Sequence, residues 1–203
     1  MTSKPNLKYL VIIAVLALAP YTLLQGGCGK KELEITCPAK QNQYTSGSEY
    51  GIKDTVAGGD ELGQTFKVTE KTTVNTVQVY LKKVGTISAT ETLTAEIWDQ
   101  TAGGLPNTLL TSGSVALSAI TTTGGYVSIT VTSKELTAGS SYWLRLRASY
   151  SASNSNYVKW FKTSGTLDAY TDGQAYAETS TVNNFLSLGN NQDFTFRIGS
   201  CIQ

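Results

Sequence analysis

Apolar and polar side chains alternate one for one through segment after segment of this chain, and that period of two restricts its fold most. Across 142–148, Tyr142, Leu144, Leu146 and Ala148 fall on one side, and Trp143, Arg145 and Arg147 on the other. Successive side chains of an extended strand leave on opposite faces. The same rule sends Leu93, Ala95 and Ile97 inward and Glu96 and Trp98 outward. It sends Val77, Val79 and Leu81 inward with Gln78, Tyr80 and Lys82 outward, and Phe194, Phe196 and Ile198 inward with Arg197 outward. Strands are predicted at 65–68, 74–84, 93–99, 109–117, 126–132, 142–148, 157–161 and 194–198, with weaker signals at 174–178 and 185–188. Turn-forming runs separate them, among them Gly103-Gly104-Leu105-Pro106-Asn107, Gly124-Gly125, Asp172-Gly173 and Gly189-Asn190-Asn191. Beyond the N-terminal leader no segment carries the apolar period of an amphipathic helix. The pattern predicts an all-β chain folded as an antiparallel β-sandwich or jelly roll.

The first 27 residues follow another pattern. Lys4 and Lys8 precede an apolar stretch from Tyr9 to Leu24, and Gln25-Gly26-Gly27 lead to Cys28. Positive start, apolar middle and small residues before a cut form a signal peptide. A retained membrane anchor is the other reading. The stretch, interrupted by Pro20, falls short of the ~20 residues a spanning helix needs. Residues 28–62 are polar and rich in Gly, Ser, Thr and Gln. They read as a tether and lead-in, with the part after Cys37 placed to pack against the domain. Residues 63–203 carry the alternation and form the sandwich, long enough for a sizeable core.

Composition excludes several functions. The chain has 16 Lys and Arg against 15 Asp and Glu, without basic runs, so it is poorly suited to neutralise a phosphate backbone and nucleic acid is not an expected partner. Histidine is absent, which removes the commonest general base and the commonest metal ligand. No Gly-x-Ser-x-Gly elbow, phosphate-cradling loop or zinc motif is present, and the acids form no evident catalytic pair. Neither catalysis nor a cofactor is predicted. Asp54, Asp60, Glu61 and Asp193 offer hard oxygen ligands of the kind calcium takes, but without a binding-loop spacing they read as solvated acids and no metal is predicted.

The Gly26-Gly27-Cys28 run resembles the lipobox of bacterial lipoproteins, although the aliphatic residue usual three places before the cysteine is here Gln25, with Leu24 one place early. The resemblance implies that Cys28 is acylated on its thiol and becomes the new N-terminus, a lipid bilayer then being a partner. Several acyl chains, each buried CH₂ worth ~0.8 kcal/mol, hold a domain stably to a membrane. The protein would sit in the bacterial cell envelope, facing the periplasm or the exterior. In such an oxidising compartment Cys37 and Cys201 are expected to form a disulfide, which could contribute about 4–5 kcal/mol by closing so long a loop. Two unpaired buried thiols are the alternative.

Further stretches occur in a suggestive order: Gly63-Gln64-Thr65-Phe66, the strand at 77–84, and 93–110 with its Gly-Gly-Leu-Pro-Asn turn. Then come Leu136-Thr137-Ala138-Gly139-Ser140-Ser141-Tyr142-Trp143, Asn156-Tyr157-Val158-Lys159-Trp160 and Asp193-Phe194-Thr195-Phe196-Arg197. Over about residues 60 to 200 this order resembles the choice-of-anchor R domains, sandwich or jelly-roll modules of surface-anchored bacterial proteins, some with relatives in phage structural proteins. The resemblance implies a fold and a surface setting, with no activity attached.

Three strands place aromatic residues on a nominally wet face. Tyr80, Trp98, Trp143, Arg145 and Arg147, joined by Trp160 if it points outward, are the candidate ligand-binding residues. An aromatic ring can cover the C–H face of a sugar while Arg supplies a planar fork of donors, as in carbohydrate-binding sandwiches. The competing explanation is structural: half-buried rings covered by snorkelling Arg and Lys or by a loop, with Trp160 in the core. The chain is thus expected to be a membrane-tethered module that binds a glycan or another surface ligand, as in adhesion. The alternative is a packing component of the envelope or an appendage, without a small-molecule site.

Overall fold

The computed structural model describes residues 38–164, 170–178 and 184–199. Cys28, Cys37 and Cys201 lie outside these, so the expected acylation and the expected bridge fall outside the described residues. The strands are β1 (Ala39–Gln41), β2 (Glu49–Ile52), β3 (Gly58–Gly59), β4 (Leu62–Lys67), β5 (Thr72–Val84), β6 (Thr92–Gln100) and β7 (Pro106–Ala116). They continue with β8 (Gly125–Leu136), β9 (Ser141–Ala148), β10 (Tyr157–Phe161), β11 (Ala175–Glu178), β12 (Phe185–Ser187) and β13 (Phe196–Ile198). A single 3₁₀ turn at Leu117–Ala119 is the one helical element among the described residues. The chain is a β-sandwich of two largely antiparallel sheets.

One sheet is ordered β1-β13-β5-β10-β2-β3, with β8 on the other edge of β5. The long β5 organises it. Val77 faces Ile198 on one side and Ile129 on the other, and farther along Leu81 faces Trp160 and Gly125. Two short strands, β13 and β10, therefore share one edge of β5 end to end. The second sheet runs β12-β11-β4-β9-β6-β7. Its centre is the register Gln64↔Leu144↔Ile97, flanked by Leu62↔Leu146↔Ala95. Where the sheets meet at their β7 and β8 edges, Gly113 lets the strands close in, since a Cβ there would stand 1.8 Å from the Thr130 carbonyl oxygen.

The core lies between the sheets and holds the residues that the alternation sends inward. Val77, Val79, Leu81, Leu93, Ala95, Ile97, Leu144, Leu146, Phe194, Phe196 and Ile198 are fully buried, and Tyr142 and Ala148 nearly so. At ~1.5–3 kcal/mol for each large apolar side chain, this set is the main favourable term. Gln64 is the polar member. Its Nε2 donates to Asp193 Oδ1 at 3.1 Å and its Oε1 accepts the Phe194 N–H at 2.7 Å, so its burial leaves no orphaned amide group.

The sheets begin ahead of residue 63. β1 pairs with β13, β2 pairs with β10, and Ile52 is fully buried in the core. Lead-in residues from Ala39 onward are thus structural. Their strands are three, four and two residues long, too short to show a period in so polar a stretch. Conversely, the strand predicted at 194–198 narrows to Phe196–Ile198, with Phe194 held by a single bridge to Lys162. Among the described residues no helix is long and apolar enough to cross a membrane.

Candidate functional site

The two outer faces of the sandwich differ in how far their aromatic side chains are covered. On the second sheet, Trp98, Trp143 and Thr65 form one outward row, and Glu96, Arg145 and Gly63 the next. Trp143, expected on a wet face, has no exposed surface. Its ring packs against Tyr176 at 4.5 Å and Phe185 at 5.1 Å, and its Nε1 donates to the Gly104 carbonyl at 3.0 Å. Gly63 makes the room: a Cβ there would lie 2.8 Å from Trp143 Cζ3. Arg145, also expected in water, is 3% exposed and lies between the Trp98 and Phe185 rings, 4.7 and 4.8 Å from their centroids. Its Nη2 bonds Glu61 Oε2, while Arg147 joins Glu61 Oε1 through Nε and Glu96 Oε1 through Nη1 at 3.3 Å. Trp98 is half-buried and donates its Nε1–H to Glu96 Oε2 at 2.8 Å. Burial raises the Glu61 carboxyl above its ordinary value, against the pull of Arg145. Of this set Arg147 alone is exposed. The face is closed by its own rings and ion pairs.

Trp160 is core, not platform. It has no exposed surface, stacks on Phe194 with centroids 4.2 Å apart, and donates Nε1–H to the Thr195 carbonyl at 2.9 Å. Since Trp160 points inward, its neighbours on β10, Lys159 and Phe161, point outward with Glu49 opposite Phe161.

The outer face of the first sheet is different. Tyr80 on β5 stands opposite Tyr126 on β8, their rings edge to face at 5.1 Å. Phe161 meets Tyr80 edge-on at 4.9 Å, and Tyr44, from the loop after β1, stacks on Tyr80 at 5.0 Å and meets Phe161 at 5.1 Å. Tyr44 is 43% exposed, and Tyr80 and Tyr126 are half-buried. Polar groups surround the rings. Arg197 lies over Tyr126 with its guanidinium carbon 3.9 Å from the ring centre, and its Nε and the Tyr126 hydroxyl both donate to Asn42 Oδ1, at 2.8 and 3.0 Å. Lys82 sits 5.3 Å from the Phe161 centroid and bonds Glu49 Oε1 at 2.6 Å; Lys159 approaches Glu49 Oε2 at 3.8 Å. Burial raises the Tyr126 hydroxyl above its ordinary value, with Arg197 opposing. The hydroxyl is therefore neutral and a hydrogen-bonding group at physiological pH.

Of the predicted ligand residues, Tyr80 alone belongs to this open cluster. Tyr44, Tyr126, Phe161, Asn42 and the outward Arg197 join it from outside the set that the sequence singles out. Tyr126 opens a strand whose partner is set by strand order, and Tyr44 is isolated in a polar stretch, so neither carries a sequence signal of proximity.

A cleft of about 610 Å³ opens elsewhere, between β2 and the β11–β12 edge, with Tyr50, Lys162, Leu186, Leu188 and Gln192 in its wall. Lys162 Nζ is engaged there by Gln192 Oε1 at 2.6 Å and Ser48 Oγ at 3.2 Å, and burial lowers its pKa. The acids considered as calcium ligands are dispersed. Asp54 accepts the Val56 N–H, Glu61 binds arginines, and Asp193 accepts from Gln64 and the Tyr170 N–H. Among the described residues no three potential metal ligands gather. No protein-family model matches the chain, and no curated protein matches it in sequence.

Proposed function

We propose that this chain is a lipid-anchored, extracytoplasmic binding module of a bacterial envelope that recognises carbohydrate through the outer face of its first sheet. The observation carrying this reading is the accessible cluster of Tyr44, Tyr80 and Tyr126, bordered by Arg197, Asn42, Lys82 and Glu49. Rings supported edge-on by other rings are already fixed, so stacking a sugar on them orders few torsions. Neighbouring amide, guanidinium, ammonium and carboxylate groups match the mixed donors and acceptors of ring hydroxyls. The leader ending at Cys28 supports the anchor, and the order of turn and strand motifs supports kinship with the choice-of-anchor R modules. The role is binding without catalysis.

The test is glycan retention by the full-length chain in detergent micelles. Tyr44→Ala and Tyr80→Ala should each weaken retention about two- to tenfold, the range of a lost aromatic contact, with the β-sheet circular dichroism of the folded domain retained. Trp98→Ala should leave it intact. Retention of no glycan, or equal binding by the tyrosine variants, would overturn the reading. Labelled palmitate should be lost from Cys28→Ser; label that persists refutes acylation at that residue.

A further inference from the structure

Taking the carbohydrate reading as its basis, we infer that the outer face of the first sheet selects an acidic glycan, its uronate carboxylate held by Arg197 beside the tyrosine cluster. Charge on this face is lopsided. Lys40 and Arg197 stand opposite each other on β1 and β13, and Lys82 and Lys159 stand opposite each other on β5 and β10. Against these four outward cations the face sets Glu49, which Lys82 and Lys159 share, and Asp54, whose carboxylate lies over Gly51 opposite Lys159. Glu135 at the far end of β8 is taken by Lys71, so Lys40 and Arg197 are left in excess. The whole chain is nearly neutral, so this concentration is local.

Arg197 is placed to receive the anion. Its guanidinium carbon lies 3.9 Å from the centre of the Tyr126 ring, and Asn42 takes its Nε. No carboxylate pairs with it among the described residues. A guanidinium oriented by an aromatic face and an amide keeps its remaining N–H fork for a planar bidentate acceptor, which a carboxylate supplies. The ring behind that carboxylate would extend across Tyr126 toward Tyr80 and Tyr44, where its C–H face meets aromatic carbon. A neutral sugar could use the rings but would leave the fork and the excess positive charge unanswered. Single-stranded nucleic acid also joins stacking to negative charge, but it calls for a continuous basic track, whereas these cations form two separate pairs.

The experiment measures binding of the full-length chain in micelles to polygalacturonate, alginate and hyaluronan. It includes the methyl ester of whichever binds, the neutral glycans, and a single-stranded oligonucleotide. At least one polyuronate should bind, and esterification, which removes the charge while keeping ring and linkage, should weaken it on the order of tenfold to a hundredfold. Arg197→Gln should produce a loss of similar size with unchanged melting. Lys159→Gln provides a second variant should Arg197→Gln unfold. High salt should weaken binding progressively, since exposed charges are screened as the Debye length shrinks to about 3 Å near 1 M. An ester that binds as tightly as the acid, or neutral glycans bound while every polyuronate is ignored, overturns this inference and leaves the carbohydrate reading standing. Binding of no glycan overturns both. An oligonucleotide bound more tightly than any polyuronate overturns the assignment of the anion.

Discussion

Replacing Trp143 by alanine separates a buried structural ring from a binding platform. The side chain has no exposed surface, fills the space above Gly63, touches Tyr176 and Phe185, and ties the loop at Gly104 to the sheet. Trp→Ala at such a site costs about 3–5 kcal/mol, from lost transfer energy plus the cavity left behind. For a domain of this size each kcal/mol lowers the melting temperature by roughly 2–4 °C, so the variant should melt roughly 6–20 °C below the wild type. Thermal unfolding followed by circular dichroism reads this directly. Gly63→Ala should destabilise through the same contact from the other side, by about 1–3 kcal/mol, the usual cost of overpacking. A Trp143→Ala variant that loses less than ~1 kcal/mol, within the range of ordinary surface changes, yet no longer retains glycan would refute the burial argument and return the ligand to the second sheet.

Two other substitutions probe buried polar groups. Tyr150 donates its hydroxyl to the Ile52 carbonyl at 2.6 Å and accepts the Val158 N–H at 2.8 Å, so Tyr150→Phe strands both partners and should cost about 2–4 kcal/mol by chemical denaturation. Burial also pushes the Tyr150 hydroxyl well above its ordinary range. Above pH ~10 the unfolded chain sheds a proton that the native state keeps, so stability should fall as pH rises there, and the fall should be shallower in Tyr150→Phe. Arg145→Met should lose about 3–5 kcal/mol by the same measurement, because it leaves Glu61 buried with one of its two arginines. An Arg145→Met protein as stable as the wild type would show that the pair is solvated.

The sequence made the direction of side chains legible but not their cover. Leu144 and Ile97 lie in the core because a period of two leaves no other arrangement for strands that contain them. Trp143 and Arg145 also point away from that core, as their parity requires. Their burial comes from Tyr176, Phe185 and the Gly104 loop, whose positions depend on strand order, and alternation is silent on strand order. For the same reason Tyr80 stood out alone. Its neighbours Tyr126, Phe161 and Tyr44 come from 46, 81 and 36 residues away in the chain, joined by a sheet in which β5 serves three partners. The polar lead-in hid β2, since four residues ending at Ile52 give too little alternation to count.

Hydroxyl-radical footprinting of the full-length chain with and without added glycan tests most directly the proposal that the outer face of the first sheet binds carbohydrate. Protection should fall on Tyr44, Tyr80 and Tyr126, while the half-buried edge of Trp98 keeps its reactivity. Protection at Trp98 with the three tyrosines unchanged would contradict the account.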